Sequence, residues 1–191
     1  MKDKKISVAI GIFAHNEEKN LKKLLDNISE QQTDVAVIKE IIIISSGSYD
    51  RTNEIARKYA KKDRRIKFID QLKREGKSSA INLFIKKATA TVLIAISSDL
   101  QLHRKAIEEI CLPFLHEDVG MVGSRPIPIN IKNNPIGEEV KLIWELHHLV
   151  SLQEPKCGEM ISFRNVIRSI PKESAVDEAN LEVLLKMIVI R

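Results

Sequence analysis

Strand-like and helix-like segments alternate along this chain, and the alternation restricts its possible folds more than any other feature. Runs that are apolar throughout and rich in Ile and Val predict buried strands. The predicted strands cover residues 6–13, 39–45, 66–69, 91–97 and 119–123. Segments with helical periodicity lie between them. The alternation predicts βαβ crossovers, and therefore a Rossmann-like α/β fold whose mainly parallel central sheet carries helices on both faces.

Capping residues predict where two of the helices begin. Asn, Asp and Ser are favoured at helix N-caps. The first helix is therefore expected to begin at about Glu17, with Asn16 as its cap. The second is expected to begin near Asp50, with Ser48 or Asp50 as its cap.

The pattern changes after residue 124. A loop rich in Pro and Asn precedes a helix expected at 137–151, and a strand-like segment, EMISF, follows it at 159–163. A chain of 191 residues suits a single domain. We therefore expect one domain over residues 1–191, composed of a first part at 1–124 and a second part at 125–191.

Composition restricts the location and the partners. Hydrophobic residues make up 43% and charged residues 30% of the chain, which is typical of a soluble globular domain. No apolar run reaches the roughly 18 to 20 residues of a membrane span, and the charged N-terminus has no signal-peptide core behind it. Cys111 and Cys157 match no metal or redox spacing, so a cytoplasmic location is expected. The formal charge of +5 favours anionic partners, whereas an aromatic content of 4% without a base-reading motif argues against nucleic acid.

Two common phosphate-binding motifs are excluded. Gly76 and Lys77 are similar to the end of a phosphate-binding loop, but Gln71 stands where that motif needs its first glycine. The segment after the first strand lacks the second and third glycines of a dinucleotide fingerprint. Because ligands of open α/β sheets bind at the carboxyl ends of strands, the polar residues at each strand end are the candidates for a site.

Polar motifs follow four of the predicted strands. They are AHNEE (14–18), SSGSYDRT (45–52), REGKSSAIN (74–82) and SSD (97–99), and the acidic pair Asp177-Glu178 comes later. In this order they resemble the motifs of family 2 of the inverting nucleotide-sugar glycosyltransferases, which have the GT-A fold. The resemblance extends over nearly the whole chain. It implies that residues 1–124 bind the nucleotide sugar and that residues 125–191 form the acceptor side.

The resemblance implies donor-binding roles for residues in the first three motifs. Glu17 matches a carboxylate that faces the nucleotide, and Ser46 occupies the base-facing position, where the family pattern has Asp. Arg74 and Lys77 flank a glycine before a helix, where cations and backbone N–H groups suit a diphosphate. Taken alone, Glu17 is better explained as an acid favoured in the first turn of a helix. The two cations are equally well explained as part of an ordinary basic loop.

Asp99 is the expected metal ligand. It matches the second Asp of the Asp-x-Asp motif with which the family holds Mg²⁺ or Mn²⁺ on the diphosphate, and Ser97 replaces the first. The resemblance also assigns Ser98 to the nucleotide-sugar site. Mg²⁺ commonly keeps waters and takes one or two protein carboxylates, so one Asp beside the diphosphate is chemically sufficient. Taken alone, Asp99 would be a turn or cap residue.

The resemblance implies direct displacement with inversion, in which the general base deprotonates the acceptor hydroxyl. Glu178 aligns with the family's base when the register is counted from Leu181, and a shift of register would favour Asp177. The implied donor is a nucleoside diphosphate sugar, and the implied acceptor is a glycan or lipid-linked molecule, as in cell-envelope glycan biosynthesis. Many relatives act at membranes, so peripheral contact with the inner face of a membrane is a further expectation.

A second function remains open from the sequence. Serine replaces a family carboxylate at positions 45, 46 and 97, which is also expected of a non-catalytic nucleotide- or glycan-binding module on the same fold. The chain ends soon after Asp177, where family members usually continue. We therefore expect either a minimal domain or a C-terminally truncated one.

Overall fold

The computed structural model describes residues 5–129, 135–153 and 159–171, which form a six-stranded sheet flanked by helices. The strands are β1 (Ile6–Ala14), β2 (Ala36–Ser46), β3 (Ile66–Gln71), β4 (Val92–Ser97), β5 (Met121–Gly123) and β6 (Met160–Arg164). The helices are α1 (Leu21–Ser29), α2 (Thr52–Lys62), α3 (Lys77–Lys87), α4 (Ala106–Cys111) and α5 (Pro135–Gln153). A 3₁₀ turn, Leu112–Leu115, follows α4 directly. All the predicted strands are confirmed, with boundaries that differ by a few residues.

The strand order of the sheet is β3-β2-β1-β4-β6-β5. Strands β1 to β4 are parallel, as the alternation of strands and helices predicts. β6 lies between β4 and β5 and pairs antiparallel with both. The mainly parallel α/β class is therefore confirmed. The chain moves outward from β1 through β2 to β3 and then returns to the other side of β1, so the topological switch point lies between β1 and β4.

Two hydrophobic cores cover the two faces of the sheet. On one face, Ile10 and Ile12 of β1 pack with residues of α1, α2 and α4. On the other face, Ile42 and Ile44 of β2 pack with α3 and with apolar residues that follow β6. Because both faces are covered, neither side of a central strand can be polar. This explains why these strands are apolar throughout instead of alternating with polar residues.

Two carboxylates stabilise the edge of the sheet at which the parallel strands begin. Glu40 is 3% exposed and accepts hydrogen bonds from Lys67 Nζ (2.6 Å) and from the N–H of Thr89 (2.6 Å). Burial alone would raise the pKa of Glu40, but the hydrogen bonds from Lys67 and Thr89 together outweigh burial and hold that pKa below its ordinary value. Glu108 of α4 accepts hydrogen bonds from the backbone N–H groups of residues 34–36 and so fixes the start of β2 against α4.

The predicted start of the first helix is wrong. α1 begins at Leu21, and Asn16 does not cap it. Asn16 has φ 58°, in the left-handed region that Asn tolerates better than most residues. Its side-chain oxygen accepts the N–H of Tyr49 (3.0 Å) in the loop after β2. The short Asn side chain is suited to both a turn and a helix cap. Here its hydrogen bond with the neighbouring loop stabilises the turn.

Candidate functional site

The loops that carry the predicted donor-binding residues lie together at the carboxyl edge of the parallel strands. β1 and β4 pair in register up to Phe13 and Ser97, so both strands end at the same level. Glu17 follows β1, and Ser98 and Asp99 follow β4. These residues therefore lie on the two sides of the topological switch point, where open α/β sheets bind their ligands.

Asp50 joins the loop after β1 to the loop after β2. Its carboxylate accepts the N–H of Thr52 (2.9 Å), the first residue of α2, and also the N–H of Glu18 (3.1 Å), whereas the N-cap position of α2 is Arg51 and not the predicted Ser48 or Asp50. The Thr52 hydroxyl accepts the N–H of Glu17 (2.7 Å). Desolvation would raise the pKa of Asp50, but the hydrogen bonds from Thr52 and Glu18 hold it below its ordinary value. Asp50 is therefore charged at neutral pH, and it accepts a hydrogen bond from the Thr52 hydroxyl that in turn holds the N–H of Glu17.

Ser46 and Gly47 join the end of β2 to the loop after β3. The Ser46 hydroxyl accepts the N–H of Glu75 (3.0 Å) and donates to the carbonyl of Lys73 (3.4 Å). Gly47 has φ 63°, and a Cβ at this position would lie 2.6 Å from the backbone nitrogen of Arg74. Only glycine allows the two loops to approach so closely. The contact of Ser46 with the nucleotide base stays a prediction. In the structure, the Ser46 hydroxyl positions the loop after β3.

The loop after β3 carries the two predicted diphosphate-binding cations. Arg74 and Lys77 are both exposed, and Lys77 is the first residue of α3. Gly76 precedes the helix with φ 85°, and a glycine has no side chain with which to cap it. The positive end of a helix beside two cations favours an anion. The local geometry is therefore compatible with the predicted diphosphate contact.

Asp99 is exposed in the turn that ends β4, beside the buried Ser98 and the half-buried Ser97. Across the described residues, no three His, Cys, Asp or Glu side chains are grouped so that they could hold a metal ion. A single carboxylate nevertheless suits Mg²⁺ or Mn²⁺ when a diphosphate supplies further oxygen ligands. Among the described residues, Asp99 thus fits a cation shared with the donor diphosphate.

A cleft of about 660 Å³ opens beside Asp99. It is bounded by the turn after β4, α4, the segment after β5, and α5. Glu159, which directly precedes β6, lines the same cleft, and its carbonyl accepts the N–H of Ser97 (2.9 Å). The sequence did not single out Glu159, because its position depends on β6 pairing with β4, and no local pattern reports that pairing.

The predicted general bases, Asp177 and Glu178, lie outside the described residues, so their role stays a prediction. The same is true of the division into a nucleotide-sugar-binding part and an acceptor-side part, because the structure alone assigns no ligand to either.

The strand-end motifs and the fold agree with a known family. A model described as glycosyl transferase family 2 matches residues 9–168, a range that includes all four motifs. This chain belongs to glycosyl transferase family 2. The resemblance inferred from the motifs is therefore confirmed.

Solved structures show the same fold. The mannosyltransferase PcManGT from Pyrobaculum calidifontis, in complex with GDP-Man and Mn²⁺, superposes with a TM-score of 0.75 at 20% identity and covers 96% of this chain. TarS 1-349 of S. aureus, in complex with UDP, gives a TM-score of 0.63 at 18% identity and covers 92% of this chain. These likenesses confirm the GT-A fold. Among relatives in sequence, the human dolichyl-phosphate beta-glucosyltransferase is 29% identical over 103 residues, which cover 50% of this chain.

The chain is shorter than the family members that it matches. It spans 53% of PcManGT, 54% of TarS 1-349 and 31% of the human relative. Within the described ranges, no helix combines the length and the apolar character needed to cross a membrane.

Proposed function

We propose that this chain binds a nucleoside diphosphate sugar at the carboxyl edge of its sheet and transfers the sugar to an acceptor hydroxyl with inversion. One observation carries the proposal: the four strand-end motifs meet at a single edge. Asp50 and Ser46 join the loops after β1, β2 and β3 by hydrogen bonds, and Asp99 lies in the turn after β4, the strand that pairs with β1. The ligands bound in PcManGT and in TarS 1-349, GDP-Man and UDP respectively, support a nucleoside diphosphate.

Each donor-site residue has a proposed role that the family resemblance implies. Glu17 and Ser46 would contact the nucleoside, and Ser98 would belong to the nucleotide-sugar site. Arg74 and Lys77 bind the diphosphate, where fixed cations stabilise the charge that develops on the leaving group.

Asp99 would hold Mg²⁺ or Mn²⁺ together with the diphosphate, and the Mn²⁺ in PcManGT supports this choice. The ion would neutralise charge on the leaving diphosphate. Either Asp177 or Glu178 would accept the proton of the acceptor hydroxyl as that oxygen attacks the sugar from the face opposite the diphosphate. Attack from the opposite face inverts the anomeric centre.

Titration calorimetry with UDP, GDP and their sugars, with and without Mn²⁺, tests donor binding. We expect one nucleoside diphosphate to bind, and Mn²⁺ to strengthen its binding by about tenfold. Asp99→Ala should remove the effect of Mn²⁺. Asp118→Ala is a matched control, because Asp118 is exposed in the loop before β5, at the opposite edge of the sheet. If no nucleotide binds to the wild-type chain, the proposal is wrong.

The alternative function is a non-catalytic nucleotide- or glycan-binding module, which the serines at positions 45, 46 and 97 favour. Donor hydrolysis and transfer assays separate the two functions. Donor binding without hydrolysis or transfer to any acceptor would favour the binding module. If transfer occurs, Asp177→Asn and Glu178→Gln identify the base, since the variant of the base should retain donor binding and lose transfer. NMR of the product then shows whether the anomeric centre is inverted.

We propose a glycan or lipid-linked acceptor of cell-envelope type, reached from the inner face of a membrane. A human relative is named for dolichyl phosphate, a lipid phosphate, and this name supports a lipid-linked acceptor without defining its head group. α5 exposes apolar side chains at Ile136, Leu142, Ile143, Leu146, Leu149 and Val150. Contiguous exposed apolar surface is typical of protein or membrane contacts. The double variant Ile143→Glu, Leu146→Glu should therefore co-sediment less with phospholipid vesicles than the wild type does. Equal co-sedimentation of the wild type and the variant would show that α5 does not contact the membrane.

A further inference from the structure

The cleft beside Asp99 has a mainly apolar wall. Its volume of about 660 Å³ lies within the range of roughly 300–1,000 Å³ that is usual for small-molecule sites. The apolar part of the wall includes Leu102, Ile110, Val122, Ile127, Trp144 and Met160. Two prolines of the segment after β5 extend it. Such a wall recognises an apolar body, because burying apolar surface is the main favourable term it can offer to a ligand.

Arg125 and His103, which line the cleft, both have acidic partners within the described part of the chain. The guanidinium of Arg125 forms an ion pair with Glu145 (2.9 Å), and Nε2 of His103 lies 3.1 Å from a carboxylate oxygen of Glu109. Glu159 adds a further carboxylate to the lining. A phosphate or carboxylate in the cleft would therefore compete with Glu145 and Glu109 for these two groups and would lie near the carboxylate of Glu159, which is unfavourable for binding.

Asp99 belongs both to this cleft and to the proposed donor site. It lines the cleft and also lies in the turn after β4, which the proposed function places beside the donor diphosphate. A hydroxyl held at that end of the cleft would lie next to the donor, whereas an apolar body would extend along the wall toward α5.

We infer that this cleft binds the acceptor and that the acceptor is an uncharged amphiphile, a hydroxyl-bearing head group on an apolar body, and not a lipid phosphate. The inference rests on the proposed function, since it needs a donor beside Asp99. It narrows the acceptor from any glycan or lipid-linked molecule to one chemical class.

Trp144 provides a direct readout of this cleft. It is the one tryptophan of the chain and it lines the wall, so its fluorescence reports ligands that enter there. The probes are octyl glucoside and octyl phosphate, which share an alkyl chain and differ in head-group charge, both below their micelle concentrations. We expect a saturable change of Trp144 emission with octyl glucoside, and binding of octyl phosphate weaker by at least about tenfold.

Three variants make the test specific. Ile127→Glu places a charge on the apolar wall and should weaken octyl glucoside binding by about tenfold or more. Val166→Glu is the matched control, because Val166 is also an exposed aliphatic residue (52%, against 73% for Ile127) but lies outside the cleft, and it should leave the titration unchanged. Glu145→Gln frees Arg125 and should strengthen octyl phosphate binding severalfold without affecting octyl glucoside.

Three results would overturn the inference: no saturable change with octyl glucoside, equal or tighter binding of octyl phosphate, or equal losses in Ile127→Glu and Val166→Glu. Calorimetry with nucleoside diphosphates on the same samples separates this failure from failure of the proposed function. Donor binding without a Trp144 response refutes the acceptor class alone. Absence of donor binding refutes both.

Discussion

Replacing Gly47 with Ala should lower the stability of the chain and disturb the donor site together. Gly47 has φ 63°, where an L residue costs about 1–2 kcal/mol more than glycine. The new Cβ would lie 2.6 Å from the backbone nitrogen of Arg74 and 3.1 Å from its Cα. These contacts are with backbone atoms, so they cannot be relieved by a change of rotamer. Forcing the loops apart adds about 1–3 kcal/mol, by analogy with overpacked cores. The expected loss of unfolding free energy is therefore about 2–5 kcal/mol.

Gly76→Ala is the control for a glycine with positive φ and no close neighbour. Gly76 has φ 85° and ψ 165°, a conformation that essentially only glycine adopts, but a Cβ at this position meets no atom within 4 Å. The control should therefore lose only backbone strain energy, about 1–3 kcal/mol. Urea unfolding followed by circular dichroism measures both variants. If Gly47→Ala loses no more than about 1–2 kcal/mol, the cost of its own backbone strain, the close approach of the Arg74 loop is not the reason for a glycine at position 47.

The second readout of Gly47→Ala is donor affinity. Displacing the backbone of Arg74 moves a cation that the proposed function places on the diphosphate. Calorimetry should show nucleoside diphosphate binding weakened by about tenfold, under conditions where the variant is fully folded. Unchanged affinity in a destabilised variant would show that Arg74 does not contribute to donor binding through this loop.

Three further predictions concern the rest of the fold. Because the pKa of Glu40 is lowered on folding, its charge stabilises the folded chain above its ordinary pKa of 4.5, and the contribution is lost as the pH falls below that value. Glu40→Gln should therefore lower the unfolding free energy by about 1–3 kcal/mol at pH 7, because it weakens the contact with Lys67. In urea titrations below pH 4.5, the unfolding free energy of this variant should fall less steeply with pH than that of the wild type. Glu108→Ala removes the acceptor of three backbone N–H groups and should lower the thermal midpoint by several degrees. The control is Glu109→Ala, at an exposed neighbour, which should shift the midpoint by about 1 °C or less. Equal shifts would show that Glu108 does not stabilise the start of β2. Burial, together with the charge of Glu108, raises the pKa of the Cys111 thiol to about 12. Iodoacetamide should therefore modify Cys111 far more slowly in the native chain than in the unfolded chain, which peptide mass spectrometry can measure. Equal rates would show that the thiol is accessible in the native chain.

Much of the candidate site could be predicted because it depends on strand direction. Once β1 to β4 are parallel, the residues that follow each strand must lie at the same edge of the sheet. The family resemblance assigned Glu17, Ser46, Arg74 and Asp99 to the donor site, and the structure places their loops together at this edge. Their contacts with a donor stay predictions, since proximity to one edge does not by itself identify a ligand.

The wrong start of α1 shows where local patterns are insufficient. Asn16 is a good N-cap by residue type, but its amide accepts the N–H of Tyr49, which lies in another loop. Glu159 was overlooked for a related reason. Its position beside Asp99 follows from β6 pairing antiparallel with β4 between two otherwise parallel neighbours, and strand pairing is decided by burial and hydrogen bonding over the whole sheet.

The sequence by itself determined the α/β class, the parallel strands and the order of the polar motifs at their ends. These features follow from periodicity and burial, which are local properties of the chain. Only the tertiary structure decided the antiparallel insertion of β6, the approach of Gly47 to Arg74, and the pairing of Arg125 with Glu145 in the cleft. Each of these joins residues that are distant in sequence, so each depends on how the whole chain packs and not on the pattern of any one segment.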